Sequence, residues 1–138
     1  MCVVPGLILV NIKYNTYIPP GLVMSGGYGA NTSVEMFIPS TKHSCTLPSL
    51  PDERYGHTMS GLTICGGRYK STTSTTCLQL SSGVWSVSHT LQDERYGHSS
   101  WQSDQQGVIL MGGYGSGGMS REVVGQGGVS FDMRYHTL

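Results

Sequence analysis

Two histidines, two arginines and four cysteines hold most of the chemistry this chain can do. His57 and His98 each close the same hexapeptide, Asp-Glu-Arg-Tyr-Gly-His, at Asp52–His57 and again at Asp93–His98. An imidazole can ligate a metal or carry a proton near neutral pH. Equal repetition argues against that use, because equivalent positions in successive repeat units lie too far apart to share one ion. The same repetition gives Arg54 and Arg95 an architectural role between neighbouring units. Each guanidinium is expected to fork onto carbonyls or onto Asp52, Glu53, Asp93 or Glu94. No catalytic residue, cofactor site or metal site is therefore assigned.

The cysteines are Cys2, Cys45, Cys65 and Cys77. None forms a Cys-x-x-Cys pair, which disfavours a zinc ribbon or a thioredoxin-type centre. Cys65 and Cys77 lie symmetrically about a turn near Ser71, so a cross-strand disulfide is predicted. Two buried thiols are the alternative, and Cys45 competes for either partner. A nucleophilic cysteine needs a base and a pocket, and nothing in the spacing supplies them. Asn31-Thr32-Ser33 is an N-glycosylation sequon. Localisation is not fixed by these features, but sequon and disulfide together tilt it towards an extracellular setting. Gly112–Gly118 lacks the following helix and the Lys-Ser/Thr of a phosphate loop, so it reads as an inter-strand loop.

The elements that position these residues follow from composition and periodicity. The chain has 138 residues, 38% of them hydrophobic, with 20 glycines and only 12% charged residues. That charged share is about half the usual one. Many short strands joined by tight turns fit this composition, and no stretch shows a helical period. Eight acidic residues balance eight basic ones, which leaves no basic stripe for nucleic acid. The longest apolar run, Cys2–Val10, contains Pro5 and Gly6 and is too short to span a bilayer. It has neither a basic segment before it nor a small-residue cleavage site after it, so it is not read as a signal peptide.

A second motif repeats three times: Gly, four mostly apolar residues, then Gly-Gly. It occupies Gly21–Gly27, Gly61–Gly67 and Gly107–Gly113. The Gly-Gly pairs are offset by 40 and 46 residues and the hexapeptides by 41. The five-residue discrepancy is a longer hairpin through Gln102–Gln106, and insertions confined to a hairpin are what a repeated unit permits. A further Asp-Glu-Arg would fall at the C-terminus, and the upstream counterpart of Arg54 falls at Tyr14. Residues 1–20 thus read as a degenerate first strand and N-terminal segment. Residues 21–138 read as repeat units whose second strands start near 21, 61 and 107.

Each unit reads as four strands. First strands are expected near Tyr55–Ser60 and Tyr96–Gln102, and second strands at Leu22–Ser25, Leu62–Cys65 and Val108–Met111. Third strands are expected at Ser33–Ile38, Thr76–Leu80 and Ser120–Val124, and fourth strands at His43–Leu47, Val84–His89 and Val129–Tyr135. An antiparallel four-stranded sheet that repeats every ~40–50 residues is a propeller blade. The pairs Gly26-Gly27, Gly66-Gly67 and Gly112-Gly113 end the second strand where the chain turns near a crowded axis.

These residues resemble Kelch repeats. That family shows an apolar strand ending in Gly-Gly, an aliphatic third strand, an aromatic opening the fourth strand, and an Arg and a His opening the next blade. The second unit carries all of them: Gly66-Gly67, Leu78 and Leu80, Trp85, then Arg95 and His98. The first carries Gly26-Gly27, Val34 and Phe37, then Arg54 and His57, with Cys45 near the place of the aromatic. In the third, Gly112-Gly113 is followed by Phe131 as a loose match. The resemblance covers roughly residues 20–135.

It implies an all-β fold of about three Kelch-type propeller blades. The ring is incomplete and is closed by further blades from a longer chain or another copy. It also implies a non-catalytic module that binds a protein or peptide through rim loops, at Tyr28–Asn31, Arg68–Ser74 and Tyr114–Ser120. Tyr28, Tyr69 and Tyr114 are the contact residues in those loops. Extracellular carbohydrate binding by the same tyrosines is the alternative. A copper oxidase of the galactose oxidase kind is the more distant one, because no cluster of Tyr, Cys and two His is evident.

Overall fold

The computed structural model describes residues 10–11, 16–17, 21–29, 31–103, 107–120, 122–124 and 130–132. Among them all regular structure is β, in antiparallel sheets. Strands β1 (Val10–Asn11) and β2 (Thr16–Tyr17) pair with each other. The first unit follows as β3 (Leu22–Ser25), β4 (Val34–Ile38) and β5 (His43–Leu47), in the order β3-β4-β5.

The second unit opens with β6 (Thr58–Ser60) and β7 (Thr63–Cys65). A small hairpin of β8 (Arg68–Tyr69) and β9 (Thr72–Thr73) comes next. Then come β10 (Thr76–Ser81) and β11 (Val84–Thr90), and the sheet runs β11-β10-β7-β6. The third unit repeats this plan. It has β12 (Ser99–Ser103), β13 (Gly107–Met111), the hairpin β14 (Tyr114–Gly115) with β15 (Gly118–Met119), then β16 (Glu122–Val124) and β17 (Ser130–Asp132). Its order is β12-β13-β16-β17.

The longer hairpin of the third unit is visible in the register. In the second unit the β6–β7 pairing closes at Ser60 opposite Thr63. In the third, the β12–β13 pairing runs on to Ser103 opposite Gly107. Most of the inserted length therefore becomes extra rungs of ladder. The tip of that hairpin, the N-terminal apolar run apart from Val10, Tyr14, and the end of the last predicted strand lie outside the described residues.

Local sequence explains the turns. Ser82 and Gly83 both have positive φ, 51° and 77°, and they connect Ser81 to its partner Val84. Two successive positive φ values make the mirror-image turn that matches strand twist.

Side chains at alternate strand positions point to opposite faces, so each sheet presents two faces to its neighbours. Val34 and Leu50 of the first unit pack with Ile64 and Leu78 of the second, with Val23, Leu47, Met59 and Trp85 around them. On the other face of the second unit, Cys65, Cys77 and Leu91 pack with Val108 and Leu110 of the third. The middle sheet is thus buried on both faces along β7 and most of β10, while β11 stays largely exposed. This explains why Thr63, Ile64 and Cys65 are all inaccessible in consecutive positions. Burial of each such aliphatic side chain is worth about 1.5–3 kcal/mol.

Cys65 and Cys77 form a disulfide, with Cα atoms 4.0 Å apart. They sit directly opposite across β7 and β10. The adjacent Gly66 N–H donates to the Thr76 carbonyl, so the cysteines occupy a non-hydrogen-bonded pair, where side chains approach most closely. Cys45 does not compete for them; it is itself disulfide-bonded.

Candidate functional site: two seams and a rim cleft

The hexapeptides form the seams between units. At the first seam the Gly27 N–H donates to the Arg54 carbonyl at 3.0 Å, and at the second the Gly67 N–H donates to the Arg95 carbonyl at 2.8 Å. In the first two pairs the leading glycine, Gly26 or Gly66, lies under the next unit's arginine and histidine. A Cβ built on Gly66 would stand 2.5 Å from the Arg95 carbonyl oxygen and 2.8 Å from His98 Cε1, at φ +62°. Only glycine fits there, on both steric and conformational grounds. The second glycine packs against its own unit's hexapeptide: Gly67 meets His57 and Tyr55, and Gly113 meets His98 and Tyr96.

Arg54 and Arg95 are both buried. The Arg54 guanidinium donates to the Gly66 carbonyl at 2.9 Å and the Thr76 carbonyl at 3.5 Å. Its Nε and Nη2 grip Asp52 at 2.6–2.8 Å. Arg95 donates to the Gly112 carbonyl at 3.2 Å. Each arginine therefore touches the preceding unit through its main chain and its own unit's Gly-Gly strand through its side chain. Such charge-assisted bonds are stronger than neutral ones.

The histidines point into the seams. His57 Nε2 shares a hydrogen bond with Ser25 Oγ at 2.8 Å, and His98 Nε2 shares one with Thr58 Oγ1 at 2.8 Å. Burial, followed by the Arg54 charge, lowers the His57 pKa from its ordinary value. Burial, then the Arg95 charge, then His57, take His98 down to about 4. Both imidazoles are neutral at pH 7 and serve as polar seam fillers. Among the described residues no three His, Cys, Asp or Glu side chains gather into a metal-ligating group. Trp85 adds another tie at the first seam, donating its indole N–H to the Pro48 carbonyl at 2.8 Å.

The rim is more ordered than loops would be. Arg68–Ser74 and Tyr114–Ser120 are expected as connecting loops, but each contains a two-stranded hairpin, β8–β9 or β14–β15. Each hairpin is stapled to a hexapeptide by reciprocal main-chain bonds, Tyr55 with Arg68 and Tyr96 with Tyr114. Strands of two residues leave no period to read in the sequence, and the pairing partner of each hairpin is a distant tyrosine backbone. Tyr28 stands almost fully exposed and meets Tyr55 edge-on at 5.4 Å. Tyr114 is exposed and lies 6.4 Å from Tyr96. Tyr69 is half-buried, with Lys70 Nζ 4.9 Å from its ring centre. Asn31 is exposed, and its side-chain oxygen accepts from the Ser33 N–H at 2.8 Å.

A cleft of about 280 Å³ opens between the second and third units. Thr75 and Gln92–Glu94 form one wall, and the β14–β15 hairpin from Gly115 to Ser120 forms the other. The Ser116 hydroxyl, and then the Ser116 N–H that donates to Glu94 at 2.9 Å, lower the Glu94 pKa. Met119 is an exposed apolar residue on the hairpin wall. Sequence reasoning missed Ser25, Thr58, Thr75 and Gln92, and it covered Met119 only as part of the Tyr114–Ser120 rim loop. Hydroxyl and amide residues carry no periodicity, so only their tertiary neighbours distinguish them. No family model matches the chain, and no curated protein is significantly similar to it.

Proposed function

We propose that the chain is a Kelch-type β-propeller segment, its sheet units serving as blades. We propose further that it acts as a non-catalytic module binding a protein or peptide through its rim. Support for the propeller comes from the seams, where the glycine pair, the arginine carbonyl and the histidine recur between successive stacked sheets. The cleft between Gln92–Glu94 and the β14–β15 hairpin carries the binding reading. It is concave, it mixes polar groups with the apolar Met119, and it is held by a stapled hairpin. A pre-formed site of this kind loses little entropy when a ligand binds.

A displayed library of random peptides should yield a recurring sequence that binds the intact chain. Binding should fall at least tenfold in Asp93→Ala and Met119→Ala, with an unchanged circular dichroism spectrum. Enrichment of no sequence, or binding indifferent to both variants, would sink this reading. Carbohydrate recognition is the second reading, favoured by the exposed rings of Tyr28 and Tyr114. A glycan array in which binding depends on those two tyrosines would replace the peptide reading with it.

A further inference from the structure

The two outermost sheet faces are apolar and uncovered. On the first unit, Leu22 and Met24 are 66% and 57% exposed. On the third, Trp101 and Met111 are 61% and 40% exposed, and Trp101 stands opposite Ile109 in the ladder. Exposed apolar patches of this kind mark interaction surfaces.

The repeat identifies what covers them. Met24 occupies the place that Ile64 holds in the second unit and Leu110 holds in the third, two residues before each Gly-Gly. Ile64 is 0% exposed because it packs on the first unit, and Leu110 is buried against the second. Met111 occupies the place of Cys65, which is 3% exposed because it packs on the third unit. The face bearing Leu22 and Met24 is therefore of the kind that receives a preceding unit. The face bearing Trp101 and Met111 is of the kind that receives a following one. The seam between the second and third units shows the two kinds fitting together, with Cys65 and Leu110 in one core.

We propose that these end faces dock on each other between two copies of this chain, head to tail. The third unit of one copy receives the first unit of the next, and Met111 meets Met24 as Cys65 meets Leu110. The contact is heterologous, so each copy offers one donor face and one acceptor face.

The test mixes two variants that each add one cysteine, Met24→Cys and Met111→Cys, with a short bis-maleimide, the wild-type chain serving as the control for its own cysteines. Both positions are exposed in the single chain, so the fold is not at risk. A cross-linked product of twice the chain mass is expected in the mixture and not with either variant alone. Sedimentation should show the wild-type mass rising above that of one chain by about 100 μM. Leu22→Lys and Trp101→Lys should each weaken this association at least tenfold. A single-chain mass throughout would overturn the proposal, as would a Met24→Cys product formed without the partner variant. Both results can be read whether or not the rim binds a peptide.

Discussion

At the first seam His57 leans on Ser25, and at the second His98 leans on Thr58. The residue equivalent to Ser25 in the second unit is Cys65, and its sulfur is committed to Cys77. Thr58 lies directly across the β6–β7 ladder from Cys65, so the hydroxyl comes from one strand further in. The acids differ as well. Asp52 grips Arg54 through both of its oxygens, whereas Asp93 makes no such bond to Arg95 and lines the rim cleft instead. Two identical hexapeptides are thus put to unequal use. Both seams keep a buried arginine whose carbonyl meets the glycine pair, and a buried neutral imidazole with a hydroxyl beside it; the acid's role and the source of the hydroxyl differ.

The largest expected effect lies behind the first seam, where the Arg54 side chain anchors the hexapeptide to its own unit's Gly-Gly strand. Arg54→Ala removes the guanidinium that joins Asp52 to the Gly66 carbonyl and should cost about 3–5 kcal/mol in urea unfolding. A loss below 1 kcal/mol would mean that the buried arginine is not anchoring the hexapeptide that lines the seam.

The second effect separates a filled glycine socket from one with more room. Gly66→Ala collides with Arg95 and His98 and should cost about 3 kcal/mol. At Gly112, also at positive φ, the nearest described atom to a built Cβ is the Ser120 carbonyl oxygen, 3.9 Å away. Gly112→Ala should therefore cost only about 1 kcal/mol, from backbone strain. Equal losses in the two variants would contradict the assigned packing.

Acid should distinguish the seams next. The folded-state pKa of His98, about 4, lies below the 6.5 of a free imidazole, so protonation favours the unfolded chain. Its contribution is intact above about pH 6.5 and drains as pH falls towards 4, by about 1–2 kcal/mol at pH 5. His57 shifts in the same direction. Thermal melts of His98→Gln across this range should be flatter than wild type, and an unchanged slope would refute the assignment.

The smallest effect lies in the acids. Asp52→Asn should lose about 1 kcal/mol, because that carboxylate is largely exposed and screened. Asp93→Asn should leave stability almost unchanged and alter only ligand binding at the cleft. Chemical denaturation of the two variants side by side makes the comparison, and a larger loss at Asp93 would reverse it.

Much of the strand pattern was legible in the sequence. Apolar runs before Gly-Gly mark β3, β7 and β13, and His43–Leu47 is β5 from end to end. The rim hairpins and the cleft were not legible. Two-residue strands are too short to show alternation, and each of these hairpins is held by the backbone of Tyr55 or Tyr96.

The amino-acid order alone settled the repeat, its phase and the all-β class, because strand alternation and paired glycines act locally and leave a period. Tertiary structure decided which hydroxyl meets each imidazole, which acid holds its arginine and which faces stay bare. Those outcomes depend on distances between units far apart in the chain, and no local preference encodes them.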